Sequence, residues 1–173
     1  MVNYDGVDWD PLNKNIYKIM VLGDSGVGKT HMVQCYVNRK RTLDPVHITS
    51  EVMQCEVEEV SIDSVLKYIQ VFDTSGVTDE VNDLILPSYY TAMNGFVFVF
   101  DLTDEKTFES LRKKWVKDVK EKCNVHAKFV LVGNKVDLED ARIDYEKAKK
   151  FAKVKKEWFR KFLSNCCLDG LTD

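Results

Sequence analysis

One stretch constrains this chain more than any other. Gly23-Asp24-Ser25-Gly26-Val27-Gly28-Lys29-Thr30 follows the short apolar run Ile16–Leu22 and opens the helical pattern Lys29–Val37. A strand that turns through glycines straight into a helix points successive backbone N–H groups at an anion, with the positive end of the helix behind them. The spacing is the phosphate-loop pattern G-x-x-x-x-G-K-[ST], in the strand–loop–helix context it requires. Asp24, Ser25, Gly26, Val27 and Gly28 would wrap the phosphates. Lys29 would reach the outer ones, and the Thr30 hydroxyl suits Mg²⁺.

The rest of the chain alternates in the same way. Met53–Ile62 and Val65–Phe72 flank a turn at Asp63-Ser64 and read as an antiparallel pair. Asp79–Met93 reads as a helix with a break near Pro87. Gly95–Phe100 and Phe129–Val132 are continuous apolar runs, as buried parallel strands tend to be. Glu105–Cys123 carries Phe108, Leu111, Trp115 and Val119 at helical spacing, which predicts one α-helix. Tyr145–Lys156 reads as a lysine-rich amphipathic helix and Phe159–Ser164 as a last strand. This order predicts an α/β fold with a mostly parallel sheet and ligands at the carboxyl ends of its strands. Residues 1–14 read as an extension, and 15–173 as one domain.

Two further motifs fall at such strand ends. Asn134-Lys135-Val136-Asp137 follows Phe129–Val132 and resembles the N/T-K-x-D motif of GTP-binding proteins. A carboxylate there can accept two hydrogen bonds, from N1–H and the exocyclic amine of guanine. Adenine offers no such donor pair, and a site built for it discriminates well because a mismatch leaves polar groups unpaired. Asp73-Thr74-Ser75-Gly76 ends the strand Tyr68–Phe72 and resembles D-x-x-G, in which Asp73 would hold Mg²⁺ and the Gly76 N–H would meet the γ-phosphate.

With Ser88-Tyr89-Tyr90 and Asp101-Leu102-Thr103-Asp104 ahead of Phe108 and Leu111, these motifs make the chain resemble Ras-like small GTPases, and among them the Rabs. The resemblance covers about residues 16–165. It implies a P-loop NTPase fold of six strands with helices on both faces, and a GTP/GDP switch with Mg²⁺ that serves vesicle traffic. Effector, exchange-factor and activating proteins are the partners it implies. The stem of Lys135 would lie along the base, with Asn134 and Asp137 selecting guanine.

The pattern is broken in four places. Val77 stands where the family has the glutamine that orients the attacking water, so hydrolysis is expected to be slow. The switch I threonine, a Mg²⁺ ligand in the family, is best matched by Thr49 after one inserted residue, with Thr42 as a rival. No aromatic residue occurs between Asn38 and Met53 to shield the guanine; counting from Thr30 brings Arg41 to that place. The family's guanine-contacting loop after the last strand is matched by Asn165-Cys166-Cys167-Leu168, where the backbone N–H of Cys167 would meet the base. The chain also stops where the family's final helix would begin, so the resemblance implies a truncated domain or one continued past Asp173.

Composition excludes several other classes. Apolar residues make up 45%, charged residues 31%, and the net charge is −3, so there is no basic excess to neutralise nucleic-acid phosphates. Met1–Asp10 has neither a basic start nor an apolar core of a signal peptide, and Phe96–Phe100 is too short to cross a membrane. Membrane attachment would need a tail that this sequence does not include, since the Cys166-Cys167 pair is followed by six residues and no C-a-a-X ending. Five cysteines without regular spacing point to a reducing, cytoplasmic setting, and the Rab resemblance implies a peripheral place on endomembranes. Two alternatives stand beside the GTPase reading. One is a pseudo-GTPase, a nucleotide-bound scaffold or half of a tandem G-domain protein. The other is an ATP-using phosphate-loop enzyme, against which Asn134–Asp137 argues.

Overall fold

The computed structural model describes residues 15–38, 53–74, 87–138, 145–154 and 159–164. Strands β1 (Ile16–Leu22), β2 (Gln54–Ile62), β3 (Val65–Asp73), β4 (Gly95–Asp101), β5 (Lys128–Asn134) and β6 (Phe159–Ser164) form one six-stranded sheet in the order β2-β3-β1-β4-β5-β6. β2 runs antiparallel to β3, and every other pairing is parallel. Asp63 and Ser64 join β2 to β3 with φ of 51° and 62°. Two left-handed residues in a two-residue hairpin match the right-handed twist of the strands they connect.

The central strands carry two side-chain sets, and each faces its own helices. On β4, Phe96, Phe98 and Phe100 enter a core with Met20, Leu22, Phe108, Leu111, Trp115 and Leu131. Val99 of β4 points the other way, into a smaller core with Val21, Val27, Val33, Val71 and Val132. This period-two division on strands buried on both faces explains their unbroken apolar reading. Helix α1 (Lys29–Asn38) lies beside β2 and β3 on the smaller core; α2 (Pro87–Ala92) contributes Tyr90 to the larger one. α2 begins on proline, whose missing N–H costs nothing at a first helical position. The part of Asp79–Met93 before Pro87 lies outside the described residues.

Glu105–Ser110, Leu111–Trp115 and Val116–Lys122 follow one another without a break as helix α3. Asp104 caps it through a hydrogen bond from the Lys106 N–H. The expectation of one regular α-helix is corrected here, because Leu111–Trp115 is a π turn, with the Val116 N–H bonded to the Leu111 carbonyl. Phe108, Leu111, Trp115 and Val119 are nevertheless all buried, as their spacing predicts. The chain leaves the helix at Cys123, whose ψ of 164° is extended. Helix α4 (Tyr145–Val154) packs beside β6 and sends Ala148 and Ala152 into the larger core.

Candidate functional site

The carboxyl ends of β1, β3, β4 and β5 meet at one rim of the sheet. Register places Asp73, the last residue of β3, opposite Val21 of β1, and Asn134, the last of β5, opposite Asp101, the last of β4. The loop Gly23–Gly28 leaves β1 at the same rim and runs into α1 at Lys29. β1 is flanked by β3 on one side and β4 on the other, so the loop stands where the sheet's connections diverge, the usual ligand crevice of an open α/β sheet.

Two of the loop's glycines, Gly23 and Gly28, are required by what surrounds them. At Gly23 a Cβ would lie 2.1 Å from the Val99 carbonyl oxygen, and at Gly28 it would lie 2.4 Å from the Asn134 amide nitrogen. Gly26, at the exposed tip with φ of 79°, has open space where a Cβ would go. Ser25 is exposed beside it, while Val27 is buried and anchors the loop in the smaller core.

Lys29 is only 4% exposed, and its ammonium donates to the carbonyls of Gly23 and Asp24 at 2.8 Å each. Burial pulls its pKa down to about 8 against the opposing carboxylates of Asp73 and Asp24. The amine is thus folded back under the loop, where it reinforces the loop's curve from inside. Thr30, half-buried, follows it on α1. Asp73 is 2% exposed and close enough to act electrostatically on Lys29. The Thr30 hydroxyl and the buried Asp73 carboxylate are hard oxygen donors of the kind Mg²⁺ takes, so the residues present fit that ion. Thr74 fixes the exit from β3, since its buried hydroxyl donates to the Val21 carbonyl at 2.7 Å.

The Asn134–Asp137 motif is tied to the loop Gly23–Gly28. The Asn134 side-chain amide donates to the Val27 carbonyl at 2.9 Å within the buried interior. Lys135 adopts φ of 64°, and its ammonium pairs with the Asp101 carboxylate at 2.6 Å. The sequence reading missed this use of the lysine, which anchors its stem over the end of β4. Burial works against the Asp101 charge, but hydrogen bonds from Lys135 and Thr103 outweigh it and hold the carboxyl below its ordinary range. Asp137 is exposed at the rim, its carboxylate accessible to solvent.

Two more residues reach the loop unannounced by any motif. The Ser110 hydroxyl and the Trp115 indole N–H both donate to one carboxylate oxygen of Asp24, at 2.7 Å each. Trp115 is buried as its helical spacing predicts, yet it also makes a polar contact that spacing alone does not signal. Ser75, Gly76, Val77, Thr42, Thr49, Arg41, Cys166 and Cys167 lie outside the described residues, as does Trp158.

Among known proteins, the Ras family matches residues 18–165. Ras-related protein SEC4 of Saccharomyces cerevisiae is 35% identical over 139 residues, covering 80% of this chain and 62% of that protein. Ras-related protein Rab-13 of Rattus norvegicus is 31% identical over 140 residues, 80% of this chain and 66% of that one. GTP-binding protein YPT1 of Saccharomyces cerevisiae is 31% identical over 156 residues, 90% of this chain and 72% of that one. The chain thus spans less than two thirds of the first two relatives' length. With the phosphate loop, the sheet order and the strand-end residues all in place, the chain belongs to the Ras family.

Proposed function

We propose that this chain is a Rab-like guanine-nucleotide switch that binds GTP or GDP with Mg²⁺ and hydrolyses GTP slowly. The observation that carries the reading is the Asn134–Val27 hydrogen bond, which locks the base-selecting motif to the phosphate loop at one rim of the sheet. A ligand that engages both must carry a base and a phosphate chain on one scaffold, as a nucleotide does. In this reading the N–H groups of Asp24, Ser25, Gly26, Val27 and Gly28 hold the phosphates. Lys29 turns from the loop carbonyls toward the phosphate oxygens, where an anion restores its full charge. Thr30 and Asp73 supply oxygens to Mg²⁺, with Thr49 as a further ligand from switch I, and the Gly76 N–H meets the γ-phosphate. Asn134, Lys135 and Asp137 select guanine, and the N–H groups of Cys166-Cys167 close on the base edge.

Hydrolysis is water attack on the γ-phosphate, and catalysis is positioning plus charge stabilisation. Bound Mg²⁺ neutralises phosphate charge. Lys29 adds a second cation, and Val77, at the place of the water-orienting glutamine, offers the water no hydrogen bond. Effector, exchange-factor and activating proteins are the expected partners, and vesicle traffic at endomembranes, on the cytoplasmic side, is the setting implied by the Rab likeness. Among the described residues no helix is long and apolar enough to cross a membrane.

The test is competition for bound fluorescent GDP. GDP and GTP should displace it at matched concentrations in the presence of Mg²⁺, while ATP should not. Displacement by ATP as effective as by GTP would falsify the guanine assignment.

A further inference from the structure

Asp24 is the second residue of the phosphate loop, and its side chain takes no part in the proposed binding of phosphates through backbone N–H groups. Its Oδ1 instead accepts two hydrogen bonds from helix α3, one from the Ser110 hydroxyl and one from the Trp115 indole, each 2.7 Å. The same residue's carbonyl accepts from the Lys29 ammonium. Asp24 is therefore gripped from two sides, by α3 through its carboxylate and by the loop's own lysine through its backbone.

The π turn makes this grip geometrically available. Side chains five positions apart on a regular α-helix diverge by roughly 140° at 3.6 residues per turn. Ser110 and Trp115 are five apart, yet they converge on a single oxygen. Leu111–Trp115, closed by the bond from the Val116 N–H to the Leu111 carbonyl, takes up the extra residue and turns Trp115 back toward Ser110. A π turn gives up regular hydrogen bonding, and such turns recur at functional sites. Here the ring of Trp115 stays buried in the larger core while its N–H reaches the loop.

We infer that Ser110 and Trp115 are positioning residues for nucleotide binding: they clamp Asp24 and hold the phosphate loop in its receiving shape before any nucleotide arrives. The inference rests on the nucleotide-switch reading. Bonds to an ionised carboxylate are the stronger kind, and two donors on one oxygen fix its direction. A loop already curved does not have to be ordered at the expense of binding energy.

The experiment measures release of fluorescent GDP from Trp115→Phe, Ser110→Ala, Asp24→Ala and the Trp115→Phe/Asp24→Ala double variant. Trp115→Phe keeps an aromatic ring in the core and removes only the donor. Each single variant should release GDP about tenfold faster or more, the size expected for a lost hydrogen bond to a charged group. The double variant should be no faster than Asp24→Ala, because the two residues act through one contact. Val119→Ala, a core deletion on the same helix, should lose stability without faster release. If Trp115→Phe folds poorly, Ser110→Ala tests the same oxygen from the helix surface. A second readout needs no nucleotide: the backbone amide signals of Gly23–Thr30 should broaden or shift in Trp115→Phe, and the Trp115 indole N–H signal should move in Asp24→Ala. GDP release at the native rate in both Trp115→Phe and Ser110→Ala overturns the clamp and leaves the switch reading intact. A native protein that binds no guanine nucleotide overturns the switch reading; unchanged loop amides in Trp115→Phe then overturn the clamp as well.

Discussion

Gly28→Ala isolates the joint between the two halves of the proposed nucleotide site. Two costs combine at this position. The backbone holds φ of 92°, and a residue with a Cβ resists positive φ by roughly 1–2 kcal/mol. The added carbon would also lie 2.4 Å from the Asn134 amide nitrogen, far inside contact distance. Asn134 is 2% exposed and donates to the Val27 carbonyl, so it can yield only by breaking that bond. A buried carbonyl left unpaired costs about 1–3 kcal/mol. The expected loss of folding stability is therefore about 2–5 kcal/mol. Gly26→Ala is the matched control, because φ is positive there too but no atom lies within 4 Å of the new carbon. It should cost only the backbone share, about 1–2 kcal/mol. Urea denaturation with linear extrapolation gives both values. The double variant Gly28→Ala/Asn134→Ala removes the obstructing amide, so Gly28→Ala should cost less in the Asn134→Ala background than in the native one. Equal losses for Gly28→Ala and Gly26→Ala, or strict additivity in the double variant, would refute the account of how Asn134 meets the loop.

Asp137→Asn should weaken GDP binding by more than about tenfold, or about 1.4 kcal/mol, since in the proposed reading the carboxylate would accept from a pair of guanine donors; titration with fluorescent GDP measures it, and unchanged affinity removes Asp137 from the site. Arg41→Phe should slow release of fluorescent GDP by supplying the aromatic shield that the stretch Asn38–Met53 lacks; stopped-flow traces identical to native would remove the idea. The Asp101 carboxyl is held below its ordinary value of 3.8, so the folded state binds fewer protons than the unfolded one on the acid side, and the stability this carboxylate contributes is present above about pH 4 and lost as pH falls through the folded value. Asp101→Asn should thus flatten the fall in stability below about pH 4, and urea midpoints that run parallel to native there would contradict the Lys135–Asp101 pairing. Val77→Gln should raise single-turnover GTP hydrolysis by about tenfold or more at matched Mg²⁺, which requires only about 1.4 kcal/mol of barrier; an unchanged rate would place the limit in switch I.

The strands were readable because their signal is local and repeated. β4 alternates Phe and Val, and the structure sends Phe96, Phe98 and Phe100 to one core and Val99 to the other. The phosphate loop was readable because its glycines answer to backbone constraints that only glycine meets, such as the close approach of Val99 to Gly23. Helix α3 was readable in extent but not in form. Burial at positions 108, 111, 115 and 119 satisfies a helical period whether or not one turn is widened, so the apolar stripe carries no mark of the π turn.

What stayed hidden in the site shares one physical character. The Asp24–Trp115 and Lys135–Asp101 contacts join residues far apart in sequence, and each uses a side chain that has a sufficient local role. Trp115 satisfies a core position, and Lys135 satisfies a nucleotide motif, so neither leaves a local residue unexplained that would call for a second partner. Pattern reading assigns each side chain one role, whereas an amphipathic side chain can fill two: a ring or an aliphatic stem for packing, and a polar tip for a distant acceptor. The distinction has consequences for substitution. Replacing Trp115 by phenylalanine or Lys135 by methionine respects the first role and removes the second. Such changes keep the bulk of each side chain, yet they act on the loop and the Asn134–Asp137 motif, the two elements that the Asn134–Val27 bond holds together.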